Sequence, residues 1–237
     1  MAKILALDSS GLVASVALCE EDNLIAEYTV NYKKTHSQTL MPMLDTIVKM
    51  TELDLATIDA IAVAGGPGSF TGLRIGSATA KGLGLSLGKP LISVPTVDAL
   101  AYNLWGCTDF VCPLMDARRN QVYTGIYSFE HGNLKTYLSQ CAISIEELAE
   151  RLNQLDKRVL LLGDGVSVYR KNLQQLLHVS YEFVPSHLNK QRAAAVGALA
   201  LTYYEEGKMV EAGEQRPDYL RLSQAERERK EKEECND

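Results

Sequence analysis

The sequence predicts an α/β protein of two lobes. Each lobe is a mixed sheet led by an antiparallel meander and flanked by helices, and the second lobe is abridged. Three observations carry this expectation. Short apolar or alternating runs separated by turn-forming clusters open the chain. A glycine-rich turn then joins an apolar strand to a helix, and past Gly106 the same succession of strands and helices begins again. With 237 residues and 46% hydrophobic content, there is enough chain for one large or two modest domains. We expect a first lobe over residues 1–106, a second over 107–222 and a charged tail over 223–237.

Residues 4–7, 14–19 and 24–30 read as three strands of a meander, with the turns Asp8-Ser9-Ser10-Gly11 and Glu20-Glu21-Asp22-Asn23 between them. Asp8 closes the first strand beside two hydroxyls. It either holds a magnesium ion there or closes the turn. Residues 37–52 follow as a helix whose apolar residues Leu40, Met41, Met43, Leu44, Ile47, Val48 and Met50 cover about half its circumference, more than a core-facing stripe requires. One side is expected to face the core and the remainder a partner. Pro42 lies in the first turn or kinks the helix. His36 has no histidine or carboxylate at i+4, so a hydrogen-bonding role is favoured over metal ligation.

The apolar run 60–64 ends in Gly65-Gly66-Pro67-Gly68, a turn able to converge backbone N–H groups on an anion near the next helix. In that helix Gly72, Gly76, Ala80 and Gly84 recur every four residues. An interior glycine costs about 1 kcal/mol relative to alanine, so such a stripe marks a face approached very closely by a neighbour. The turn lacks the Gly-Lys-Ser/Thr of a P-loop, and Thr71 stands where a dinucleotide fingerprint needs a small residue. Phe70 holds the centre of Gly68-Ser69-Phe70-Thr71-Gly72, which excludes a nucleophile elbow. A strand over 91–94 and a helix over 96–105 complete the first lobe.

In the second half, strands over 110–115 and 122–128 flank Asp116-Ala117-Arg118-Arg119-Asn120-Gln121, and 134–140 adds a third. A helix over 145–154, a strand over 159–162, the turn Gly163-Asp164-Gly165 and a helix over 167–177 repeat the first lobe's plan. The helix over 189–206 carries Ala193, Ala194, Ala195 and Gly197, a close-packing face able to return to the first lobe. The tail pairs Glu226 with Lys230 and Glu228 with Lys232 at i,i+4, as a solvated helix does.

Composition narrows the function classes. A formal charge of −6 without a basic stripe argues against a chain that grips nucleic acid alone. Asp8 interrupts the opening apolar run, so no secretory segment is read, and no run of about 18 apolar residues suggests a membrane span. A cytoplasmic location is expected. Five cysteines, an odd number without a Cys-x-x-Cys pair, predict reduced thiols rather than a disulfide framework or a zinc site.

The Asp8 strand-turn-strand, the Gly-Pro-Gly turn and the doubled lobe resemble the actin, sugar-kinase and heat-shock-ATPase superfamily, whose lobes are actin-like (ribonuclease H-like). A nearer resemblance rests on longer strings. Asp8-Ser9-Ser10, the stretch from Gly65 to Arg74, Asp116-Ala117-Arg118 with Val122-Tyr123, and Pro217-Asp218-Tyr219-Leu220-Arg221 are similar to the TsaB (YeaZ-like) family. The resemblance implies a non-catalytic partner of the paralogous enzyme TsaD. With the ATPase TsaE, that complex transfers a threonylcarbamoyl group to the tRNA adenosine next to the anticodon, and this chain meets tRNA only through it.

The resemblance also implies where sites should lie. A degenerate nucleotide site is expected at Asp8, Ser9, Ser10, Gly66, Gly68, Gly163 and Gly165, with no cofactor of the chain's own and ATP or ADP possible at the junction with TsaD. Thr96 and Leu100 occupy the places of the paralogue's two metal-binding histidines, and neither side chain replaces imidazole, so no catalytic metal is expected. A partner interface is expected over Leu40, Met41, Leu44, Val48, Gly72, Gly76 and Ala80, pairing with TsaD as a four-helix bundle or with a second copy as a homodimer. Two other readings compete. One is a small-molecule kinase or ATPase using Asp8 for magnesium, the Gly66 to Gly68 turn for phosphate and Asp116 as base. The other is an autonomous tRNA-binding module, against which the acidic balance argues.

Overall fold

The computed structural model describes residues 2–32 and 34–221. β1 (Lys3–Asp8), β2 (Ala14–Glu20) and β3 (Asn23–Val30) form the expected antiparallel meander, and β4 (Ala60–Gly66) and β5 (Leu91–Pro95) extend it in parallel, giving the order β3-β2-β1-β4-β5. The central strands β1 and β4 are covered on both faces. Their near-continuous apolar sequences, rather than alternating ones, follow from that position.

The second sheet repeats the plan. β6 (Phe110–Asp116), β7 (Gln121–Glu130) and β8 (Asn133–Ser144) make its meander, with β9 (Val159–Leu162) and β10 (Tyr181–Phe183) in parallel, in the order β10-β9-β6-β7-β8. Read from β8, this is the first sheet's order. The second copy keeps the strand number and is abridged only in its parallel pair, β9 with 4 residues and β10 with 3, while β7 and β8 are longer than β2 and β3. β10 follows no predicted strand; its three residues are too few for a period-2 pattern.

α1 (His36–Met50) and α2 (Phe70–Leu87) pack together on one face of the first sheet. α3 (Thr96–Tyr102) touches both sheets, while α4 (Ile145–Leu152) and α5 (Asp164–Leu176) cover the second. α6 (Ala193–Glu205) does return to the first lobe and lies over β1, β2, β4 and β5. Its small residues permit this approach: Gly197 sits against the Cys19 sulfur and the Ala6 methyl. Its N-terminus is tied down by the Ser15 hydroxyl, which accepts from the Ala193 N–H at 2.8 Å, and by the Glu27 carboxylate, which accepts from the Ala194 N–H and pairs with Arg192.

The partner face expected on α1 and α2 needs correction. Leu40 and Leu44 are buried with Met43 and Ile47 in the first lobe's core, because they lie on the side of α1 that meets the sheet. Gly72, Gly76 and Ala80 also face inward. A Cβ on Gly76 would stand 2.5 Å from the Ser9 Oγ and 3.5 Å from a Val63 methyl, and Ala80 is a core residue. The close neighbour that the stripe demands is therefore the lobe's own β1–β2 loop and β4. Of the seven residues, Met41 is exposed and Val48 is half-buried. Pro42 lies inside α1, beyond its first turn. The expected charged tail falls outside the described residues.

After α6 the chain takes no regular form, yet it is held throughout. Val210 pairs with Leu91 at the edge of β5, Ala212 fills the space beside Gly84, and Gln215 accepts from the buried Ser77 hydroxyl. Residues 216–221 then cross the glycine turn toward the second lobe.

Candidate functional site

The turn between β4 and α2 is enclosed by three neighbours. The first is the β1–β2 loop. Asp8, 1% exposed, accepts through Oδ1 from the Ser10 N–H at 2.8 Å and the Ser10 hydroxyl at 2.7 Å. Burial raises its pKa above the ordinary 3.8, against which the Ser10 hydrogen bonds and the His36 charge act. The Ser9 hydroxyl donates to the Gly72 carbonyl at 2.8 Å, and the Ser10 carbonyl accepts from the Ser69 N–H at 2.7 Å. A side chain at Gly68 would collide with that Ser10 carbonyl, and one at Gly72 with the Ser9 carbonyl. His36 bonds the Gly11 carbonyl through Nε2 at 2.8 Å, the hydrogen-bonding role its sequence context favours.

The second neighbour is Thr96. Fully buried, it accepts from the Gly66 N–H at 3.1 Å. Leu100 is buried in the cluster that joins the lobes, beside Val111 and Met115. Thus the two positions matched to the paralogue's metal histidines serve as a hydrogen-bond acceptor and as core.

The third neighbour is the C-terminal strap. The Asp218 N–H donates to the Gly65 carbonyl at 2.7 Å, and the Asp218 carbonyl lies where a Gly66 side chain would be. Gly66 also has φ of +118°, so glycine is demanded twice over. Tyr219 stacks on Phe70 with ring centroids 4.8 Å apart, and Arg74 donates to the Tyr219 hydroxyl at 3.4 Å. Beyond them Gln140 donates to Asp218 at 3.2 Å and the Arg221 guanidinium to the Ala117 carbonyl, which ties the strap to the second lobe.

The second-lobe turn is closed in its own way. Gly163, with φ of +107°, gives its N–H to Asn189, and both it and Gly165 face the Leu114 carbonyl of β6. Burial raises the Asp164 pKa, with Lys190 acting against it. Asp116 accepts from the Arg118 N–H at 2.9 Å and the Tyr169 hydroxyl at 3.2 Å, and pairs with the Arg118 guanidinium at 3.4 Å. Burial and the Asp116 charge push the Tyr169 phenol up to about 12.

These contacts change the reading of the seven expected nucleotide residues. Asp8, Ser9, Ser10, Gly66 and Gly68 do come together, and Gly163 and Gly165 share a second turn, but each set satisfies its own chain. The N–H groups of Gly66, Ser69 and Gly163 already have acceptors, and the glycines leave room for carbonyls rather than phosphate oxygens. The residues do not fit a nucleotide cradle in this conformation. Among the described residues no group of three or more His, Cys, Asp or Glu is placed to hold a metal, and burial pushes the Cys112 thiol up to about 12. Sequence reasoning missed Thr96, Asn189 and the strap as covers of these turns. Each acts across a separation of at least 26 residues, where no local pattern carries a signal.

A family model described as "TsaD: tRNA N6-adenosine threonylcarbamoyltransferase" matches residues 23–229. Over 226 residues the chain is 34% identical to the tRNA threonylcarbamoyladenosine biosynthesis protein TsaB of Bacillus subtilis (strain 168), covering 94% of this chain and 96% of that one. The chain belongs to the TsaB (YeaZ) family. The Escherichia coli (strain K12) TsaB is 30% identical over 92% of this chain and 94% of its own. The solved structure of YeaZ from Pseudomonas aeruginosa is similar with a TM-score of 0.78 at 26% identity, over 93% of this chain and all of that one. The ethanolamine utilization protein EutJ from Carboxydothermus hydrogenoformans, at 13% identity and a TM-score of 0.51, shares the fold over 82% of this chain and 88% of its own. No helix among the described residues is long and apolar enough to cross a membrane.

Proposed function

We propose that this chain is a non-catalytic subunit of the assembly that forms threonylcarbamoyladenosine in tRNA. It docks on a TsaD-type transferase, with which TsaE acts, and reaches tRNA within that complex in the cytoplasm. The observation that carries the reading is the near end-to-end likeness to TsaB proteins, 34% identity over 94% of the chain. A glycine turn whose N–H groups serve the protein's own carbonyls and hydroxyls supports a non-catalytic role and argues against the kinase reading. The chain holds no nucleotide by itself; ATP or ADP, where present, lies at the junction with the partner.

The docking surface is the outward side of α1 and α2. Met41 is 49% and Leu85 68% exposed there, Ala78 is exposed, and Gly82 faces open space, so an opposing helix can approach closely. The same face joins two copies when the partner is absent. Depletion of the protein from its cell, followed by mass spectrometry of tRNA nucleosides, tests the function. Threonylcarbamoyladenosine is expected to fall while other modifications persist, and unchanged levels after full depletion refute the reading. ATP turnover by the purified chain that disappears in Asp8→Ala establishes the kinase instead.

A further inference from the structure

Nine arginines lie among the described residues, and they divide into two groups. Four serve local structure. Arg151, Arg158 and Arg192 pair with carboxylates, and Arg170 lies over the Phe183 ring. The other five lie on the strap, Arg216 and Arg221, or on the elements that the strap touches, Arg74 on α2 and Arg118 and Arg119 on the β6–β7 hairpin. Arg74 is over Tyr219, Arg216 is exposed on the strap, and Arg221 reaches the Ala117 carbonyl beside Arg118 and Arg119. Of the acids near them, Asp116 pairs with Arg118, while Asp218 and Glu146 accept from the neutral amides of Gln140 and Asn120. Arg119 and Arg216 have no ion partner among the described residues. In a chain of charge −6 these two guanidiniums are therefore left without an internal counter-ion.

The β6–β7 hairpin presents two of these side chains at a conformational cost. Arg118, Arg119 and Asn120 all have left-handed backbone, with φ of +64°, +54° and +58°. Such backbone costs an ordinary residue about 1 kcal/mol or more, and glycine or asparagine would fill those places more cheaply. The hairpin is nonetheless pinned at both ends. Asp116 accepts the Arg118 N–H, while Asn120 donates to Glu146 and its carbonyl accepts from the Ile145 N–H. Two arginines are therefore held outward on a fixed support, with the Arg118 side chain 87% exposed. Arg221, which reaches the hairpin at Ala117, follows Tyr219 by two residues, and Tyr219 stacks on Phe70 at the positive N-terminal end of the 18-residue α2.

We propose that this arginine cluster is a nucleic-acid surface that holds the sugar-phosphate backbone of tRNA when the chain is in its complex. Guanidinium forks match phosphate oxygens in pairs. The proposal rests on the reading that the chain serves a tRNA-modifying assembly, and it adds that this subunit supplies part of the RNA grip.

The test uses the complex of the full chain with its TsaD-type partner and a fluorescent, unmodified transcript of a tRNA that reads codons beginning with A. Binding is followed by anisotropy over a series of potassium chloride concentrations. Arg118→Asn combined with Arg119→Asn removes both charges and suits the left-handed backbone, so the protein is expected to stay folded. Affinity is expected to fall about tenfold, and the slope of log affinity against log salt to become shallower by about 1.5, as for two lost phosphate contacts. Arg158→Gln, at the opposite end of β6 where it pairs with Asp109 and Glu182, is expected to change neither. Unaltered affinity and slope in the double variant, with the complex intact by size-exclusion chromatography, overturn the proposal and leave the functional reading standing. Loss of the complex itself assigns the cluster to the protein partner and also overturns it. Failure of the unmodified chain to assemble with its partner removes the functional reading first.

Discussion

The two lobes place a glycine turn at the same point of the same topology, after the strand that lies parallel to the lobe's first, and the two turns are closed by different things. At Gly163 the obstacle is the Leu114 carbonyl, part of the central strand β6, which is paired with β7 on one side and β9 on the other. At Gly66 it is the Asp218 carbonyl, carried by an irregular segment that comes from far along the chain. Both glycines have positive φ and neither tolerates a side chain. What differs is whether the neighbour can withdraw, and that decides whether a substitution breaks the fold or opens the turn.

The largest effect is expected for Gly163→Ala. The strand it strikes has no room to recede, so strain and collision together should cost more than about 3 kcal/mol in a urea or thermal unfolding experiment. A loss below about 1 kcal/mol would show that β6 yields. Gly66→Ala should cost less, about 2 kcal/mol, because the strap can lift away. Limited proteolysis then separates the two turns: residues 210–221 become cleavable in Gly66→Ala and stay protected in Gly163→Ala. Equal protection in both variants would remove the distinction.

Asp8→Asn asks whether the first turn is stable because of the carboxylate or despite it. The folded-state pKa of Asp8 is raised from 3.8 by burial, so the folded protein binds this proton more tightly than the unfolded chain. Stability contributed by the protonated form is present at low pH and is lost as pH rises from about 3.8 through the folded value. Asparagine can still accept from the Ser10 N–H and hydroxyl without carrying charge. The variant is therefore expected to gain stability on the unmodified protein as pH rises, with the difference vanishing in acid; melting curves over a pH series would show it, and a difference that shrinks toward neutral pH contradicts it. The smallest effect is expected for Gly82→Ala, at a helix position that faces open space. Helix propensity should raise stability by about 0.5–1 kcal/mol. If α2 docks a partner through this side, the same variant should weaken co-purification with the TsaD-type protein, whereas a purely structural glycine would leave it unchanged.

The repeated plan was legible because it is written in local periodicity. The two meanders, the glycine turn after β4 and the buried half of α1 all follow from residue patterns within a single element. The Gly72, Gly76 and Ala80 stripe was legible as a close-packing face, but not which neighbour it packs against. A stripe of small residues specifies a distance of approach, and both a partner helix and the lobe's own loop satisfy it. Asp8 and Gly68 were likewise legible as residues that converge at a turn, while the Ser10 carbonyl that fills the space was not.

From sequence alone come the two-lobe α/β class, the family strings from Asp8 to Arg221, and the residue types that rule out a P-loop and a nucleophile elbow. The tertiary structure alone decided that the glycine turns are closed by the chain itself, that the stripe on α2 faces inward, and that the strap carries Arg221 to the hairpin of Arg118 and Arg119. The physical reason is the range of the interactions. Strand and helix patterns arise from neighbours a few residues apart, whereas Thr96 on Gly66, Asn189 on Gly163 and Arg221 on Ala117 join positions 30, 26 and 104 residues apart. No periodicity connects such pairs; only the folded path of the backbone brings them together.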